Sequence, residues 1–228
     1  MLTMTWRFIT TSDKLAVRYL EHSMSLFITF EGGEGSGKSL QTRALQRKLN
    51  RLDIPVVLVH EPGSTPLGER LTRLLKWAQN TNISPLTEVM LFNTSRTQLL
   101  DEIIRPALKA GKIVICDRYT DSTITYQGYG RKIDIDTINN FNDMATGGLN
   151  PDLTVLLDIP VSEGFARKTG QAPDRFEKEA KAFHQRVRKG YLKLAKDESQ
   201  RWLVIDGRLS KEKIKQIIWE KVSDLLTK

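Results

Sequence analysis

Five short runs of the chain are almost wholly apolar, and stretches whose apolar residues recur every three or four positions lie between them. Leu26 to Glu31, Ile54 to His60, Lys112 to Asp117, Leu153 to Asp158 and Trp202 to Asp206 read as strands. Near-continuous apolar character, without alternation, is what a strand buried on both faces needs. The spacing between them predicts helices over Leu40 to Arg51, Leu67 to Trp77, Pro85 to Ala110, Ser122 to about Gly128, Asp134 to Ala145, Gly164 to Lys168 and Asp174 to Lys196. A last helix, capped by Ser210, carries the stripe Ile214, Ile217, Ile218, Val222 and Leu225. Ser84 before Pro85 is an N-cap with a first-turn proline, while Gly111 and Gly147-Gly148 stop helices. Strands alternating with helices predict an α/β fold: a five-stranded parallel sheet with helices on both faces, in one domain over residues 25–228. Residues 1–24 lack this pattern and are expected to be a flexible N-terminal extension. They have neither the apolar core of a signal peptide nor the composition of a transit peptide, and Met24 reads as an alternative start.

In such sheets ligands bind beyond the carboxyl ends of the strands. Those ends hold a glycine-rich turn, His60-Glu61-Pro62-Gly63, Asp117-Arg118-Tyr119, Asp158 and Asp206. The turn is the most specific: Gly32-Gly33-Glu34-Gly35-Ser36-Gly37-Lys38-Ser39 follows a strand and opens a helix, the context of a phosphate-binding loop. Its glycines Gly32, Gly33, Gly35 and Gly37 let backbone N–H groups turn inward around a polyphosphate. Lys38 would reach the outer phosphates, and the Ser39 hydroxyl would ligate Mg²⁺. Asp117 and Asp158 each end an apolar strand and compete for a second place on the metal. Arg118 beside Asp117 could grip a phosphate through two parallel hydrogen bonds, or form a strand-end salt bridge.

A net charge of +8 points to polyanionic ligands, but the basic residues are spread along the chain, so solvated helix faces are favoured over a nucleic-acid track. No apolar run approaches the ~18 residues of a membrane span. The lone cysteine, Cys116, excludes an intrachain disulfide and reads as a buried, inert thiol, consistent with a reducing, cytoplasmic setting. No guanine-specificity N-K-x-D motif follows the loop, which disfavours a GTPase. The basic, glycine-containing segment Arg167 to Arg175, within about 165–177, is placed to act as a water-excluding lid over two phosphates brought together.

These residues resemble the thymidylate kinase family. The likeness runs from Ser25 to the C-terminus through FITFEGGEGSGKS, EPGSTPLGE, LFNTSRTQL, DRYTDSTITYQG, PDLTVLLD and DRFE. It implies the P-loop nucleoside-monophosphate-kinase fold, a soluble homodimer, and transfer of the γ-phosphoryl of ATP to dTMP with Mg²⁺. By this resemblance Phe92 stacks on thymine and Arg96 hydrogen-bonds it, while Glu61 faces the acceptor site. Arg118 clamps the dTMP phosphate, and Asp117 organises the metal. Ser122, Thr123, Tyr126 and Gln127 line the base and sugar, and Glu34 lies near the 3′-hydroxyl. Gly35 stands where one branch carries an arginine, so the catalytic cations are expected from the lid, as Arg167 or Arg175. His60, Thr72 and Leu40 depart from the commoner residues at their positions. A kinase of another nucleoside monophosphate and a catalytically silent nucleotide-binding protein are the rival readings.

Overall fold

In the computed structural model, which describes residues 25–78, 82–168, 170 and 172–227, the apolar runs become β1 (Phe27–Glu31), β2 (Val56–His60), β3 (Ile113–Asp117), β4 (Leu153–Asp158) and β5 (Trp202–Asp206). All pair in parallel, in the order β2-β3-β1-β4-β5. The extension and the lid residues Thr169 and Gln171 lie outside the described residues. With β1 in the middle, the chain leaves it towards β2 at one edge and leaves the neighbouring β4 towards β5 at the other, and the crevice opens at that reversal.

Alternate residues of these strands serve two separate cores. Ile28, Phe30, Ile115, Val155 and Leu157 pack under α1 (Lys38–Asn50) and α9 (Lys211–Leu225) through Leu45, Leu49, Ile214, Ile218 and Val222. Phe27, Val114 and Cys116 face Leu99, Leu100 and Ile104 on the other side. A third cluster joins Leu156 and Trp202 to Tyr126, Phe183, Val187 and Tyr191. Cys116 is free and buried, as its apolar setting requires.

The helices follow their caps. Thr65 Oγ1 accepts from Gly68 N to start α2 (Pro66–Trp77), and Ser84 Oγ accepts from Thr87 N to start α3 (Pro85–Leu99). The single helix expected over Pro85 to Ala110 is interrupted: a π-helical turn spans Leu100–Ile104, and α4 (Arg105–Lys109) follows. Pro106 is the local reason, because its ring cannot sit under a regular i−4 carbonyl and a widened turn relieves the clash. The helix expected from Ser122 is α5 (Thr120–Thr123) running into a second π-helical stretch, Ile124–Gly130, where Arg131 N donates to Tyr126 O. After α6 (Ile135–Thr146) and α7 (Val161–Ala166), the helix expected from Asp174 begins only at Lys181, as α8 (Lys181–Asp197). Asp174 Oδ1 instead accepts from Phe176 N and Glu177 N, closing a separate turn.

Candidate active site

The carboxyl ends of the strands line a cleft of about 600 Å³ that runs from the glycine loop to Phe92 and Phe176. The loop is built by close approach. Gly32, Gly35 and Gly37 all have positive φ, and a Cβ on Gly35 would stand 1.9 Å from the carbonyl oxygen of Gly164 on α7. No side chain fits there. Gly37 then starts α1, whose first-turn N–H groups face the loop opening.

Lys38 folds back over the loop: Nζ donates to Gly32 O at 2.9 Å and Gly33 O at 3.0 Å. Burial, then repulsion by Arg118, brings its ammonium down to about 8 against the pull of Glu34, Asp117 and Glu31. Ser39 Oγ donates to Asp117 Oδ2 at 2.6 Å. Two hard oxygens at the loop mouth suit Mg²⁺, which keeps waters and phosphate oxygens for its remaining positions. Asp158, the rival ligand, is taken up by Arg188 in a two-point pair at 2.7 and 2.8 Å.

Arg118 is the hub of the cleft. Its Nη2 donates to Glu34 Oε1 at 2.9 Å and Tyr126 OH at 3.2 Å, and its Nη1 to Ser122 Oγ at 3.2 Å and Tyr191 OH at 3.3 Å. Its backbone is left-handed, with φ 75°, a conformation uncommon for a side-chain residue and held by Arg118 N donating to Phe30 O at 3.0 Å. Burial opposes the charge of Glu34, but Arg118, Lys38 and Lys168 outweigh it and hold that carboxyl far below its ordinary range.

The base end is aromatic: Phe92 and Phe176 have centroids 5.7 Å apart, and Tyr126 meets Phe176 edge-on at 6.3 Å. Arg96 is buried beneath, with all five N–H donors directed at protein acceptors: Glu61 Oε2, Asn93 Oδ1, Asn142 Oδ1, Tyr119 O and Thr123 Oγ1. Thr123 thus meets Arg96, and Gln127 turns to Glu88, with Nε2 to Oε1 at 2.6 Å. Glu61 Oε1 has no hydrogen-bond partner among the described residues, and burial lifts its carboxyl above the usual range despite Arg96.

The two arginines expected as lid cations are engaged elsewhere. Arg167 Nη1 donates to Gly207 O at 2.9 Å. Arg175 donates from Nε to Leu75 O at 2.8 Å and pairs with Glu88 at 2.7 Å. Of the basic residues in the segment expected as a lid, Lys168 lines the cleft, 3.3 Å from Glu34 Oε2 and paired with Glu177. Two further residues join the site without a role predicted from the sequence, the first of them standing at a strand end where ligands are expected. Glu31, the polar end of an apolar strand, is wholly buried and accepts from Tyr119 N, Ser122 Oγ and Tyr191 OH. Tyr191 sits on α8, where helical spacing reads only as core.

A polyphosphate loop, a metal-suited serine–aspartate pair and a guanidinium facing an aromatic pocket, all at the carboxyl edge of one parallel sheet, define a P-loop nucleoside-monophosphate kinase. Comparison with known proteins narrows the class. A family model described as thymidylate kinase matches residues 30–218. A thymidylate kinase of Dehalococcoides mccartyi is 54% identical over 203 residues, 89% of this chain and 98% of the relative. One of Geotalea uraniireducens is 47% identical over 191 residues, 81% of this chain and 90% of the relative. The crystal structure of thymidylate kinase from Ehrlichia chaffeensis matches with a TM-score of 0.69 at 35% identity, covering 89% of this chain and 99% of that one. The chain belongs to the thymidylate kinase family.

Proposed function

We propose that this chain transfers the γ-phosphoryl group of ATP to dTMP, giving ADP and dTDP, by direct in-line displacement with no covalent enzyme intermediate. The observation that carries this reading is Arg118. Its guanidinium lies between the phosphate loop, through Glu34, and the aromatic pocket, through Tyr126. An acceptor whose base lies by Phe92 and whose phosphate meets Arg118 points that phosphate at the loop, so positioning is the main contribution to rate.

The loop N–H groups and Lys38 hold the donor phosphates. Mg²⁺, held by Ser39 and Asp117, would neutralise charge on the donor's outer oxygens. Lys168 stands where the lid meets Glu34 and screens charge that develops between donor and acceptor. Phe92 and Phe176 exclude water from the base, and Tyr126 meets Phe176 edge-on. The enzyme acts in the cytoplasm as a homodimer. Leu86 and Met90, exposed on α3, support the second. No helix among the described residues is long and apolar enough to cross a membrane.

The test is ADP release with ATP and Mg²⁺ against dTMP, dUMP, UMP, CMP and GMP. Turnover is expected to be greatest with dTMP and abolished in Lys38→Ala. Faster turnover with another acceptor would move the reading to that nucleotide, and background rates with all five would leave only a binding protein.

A further inference from the structure

Tyr191 lies outside every site motif, yet its hydroxyl sits within the acceptor clamp. It donates to Glu31 Oε2 at 2.8 Å, and Ser122 Oγ donates to the same oxygen at 2.6 Å. A hydroxyl has one proton to give. Ionised Glu31 draws both protons, which leaves the oxygens of Tyr191 and Ser122, themselves 2.9 Å apart, as acceptors, and both face Nη1 of Arg118, at 3.3 and 3.2 Å. Tyr119 N holds the other carboxylate oxygen at 2.8 Å, so Glu31 cannot swing away.

We propose that Tyr191 and Glu31 are positioning residues for the acceptor's phosphate: the buried carboxylate turns two hydroxyls so that their lone pairs fix the direction of the Arg118 guanidinium. The inference rests on the reading of Arg118 as the phosphate clamp. Two further observations support it. Burial, with Asp121 nearby, pushes the Glu31 carboxyl up to about 7 even though Arg118, Ser122 and Tyr191 favour its charge, so ionising it behind the clamp is costly and the anion forms fully only above that pH. The height of Tyr191 is also built deliberately. Gly190 beside it has no Cβ, and one there would stand 2.7 Å from the ring of Tyr129. The missing methyl lets α8 close on the second π-helical stretch.

Tyr191→Phe keeps the ring and removes the hydroxyl. In the full chain it is expected to raise KM for dTMP by roughly three- to tenfold, the worth of one ordinary hydrogen bond, since the lost contact acts on the substrate only through Arg118. KM for ATP and the inhibition constant of thymidine, which has the base and sugar but no phosphate, are expected to stay unchanged. A merely structural role would weaken thymidine as well. Glu31→Gln, isosteric and uncharged, is expected to reproduce the same pattern and serves if the Phe variant folds poorly. On an Arg118→Ala background, Tyr191→Phe is expected to add nothing. If Arg118→Ala itself leaves KM for dTMP unchanged, the clamp reading fails and this inference with it. If Arg118→Ala raises that KM but Tyr191→Phe does not, or weakens thymidine equally, the inference alone is overturned.

Discussion

Two glutamates at the mouth of the phosphate loop are driven in opposite directions by their surroundings. Glu34 meets three cations and stays ionised, so it adds stability above the ordinary carboxylate pKa and loses it as pH falls. Glu31 is an acid whose pKa rises on folding, to about 7 from 4.5. Below the unfolded value both states are protonated and it contributes nothing. As pH climbs from there through 7, the folded state loses stability, up to about 3 kcal/mol. Glu31→Gln is therefore expected to gain more in Tm over the parent at pH 8 than at pH 5. Thermal melts of both proteins at the two pH values check this, and an equal difference at both would refute it. The same variant is expected to bind dTMP less well, a stability cost held for function. At this scale the sequence marks the loop, Asp117 and Arg118, because glycine spacing and strand ends have local signatures. It does not mark the partners of Arg167 and Arg175. Those partners, Gly207, Leu75 and Glu88, come from distant segments that only the folded sheet brings near.

The contact between α8 and the second π-helical stretch is an exchange of glycines for rings. Gly190 of α8 receives Tyr129, and Gly130 of the π-helical stretch receives Phe183, where a Cβ would stand 2.5 Å from the ring. Gly190→Ala gains about 1 kcal/mol of helix propensity. It also overpacks the contact, at about 1–3 kcal/mol, and the overpacking is expected to win. The variant should melt at lower temperature and show a raised KM for dTMP, since Tyr191 moves with α8. A higher melting temperature with unchanged kinetics would show that the approach is not needed. The strands and the first helices were readable because their apolar periods are unbroken. The π-helical stretches are not, since one inserted residue shifts the phase of the apolar pattern without a residue-type signature of its own, and only Pro106 hints at the first. The start of α8 was misplaced because charged residues continue the helical pattern through a turn that Asp174 closes with its own side chain.

Across the whole molecule, α3 lies between α2 and α6, and its outer line exposes Leu86 and Met90 at one-turn spacing, each 45% exposed, with Met144 of α6 83% exposed. A stable pair of chains needs roughly 800 Å² from each. If the proposed homodimer packs through this line, Met90→Glu is expected to shift it from dimer to monomer in light scattering, and a parent that already scatters as a monomer would refute the dimer. A dimer unaffected by that charge would place the contact on another face. The same whole-molecule view gives meaning to the pairing of Gly35 with Gly164. Two segments more than a hundred residues apart touch there backbone to backbone, so neither position can change alone. A lineage with this arrangement cannot place an arginine at position 35 of the phosphate loop by one substitution. It would first have to lift α7 away, and with it the segment that delivers Lys168. At position 35 a loop cation is thus no single step but an evolutionary commitment, written in the width of a single methyl group.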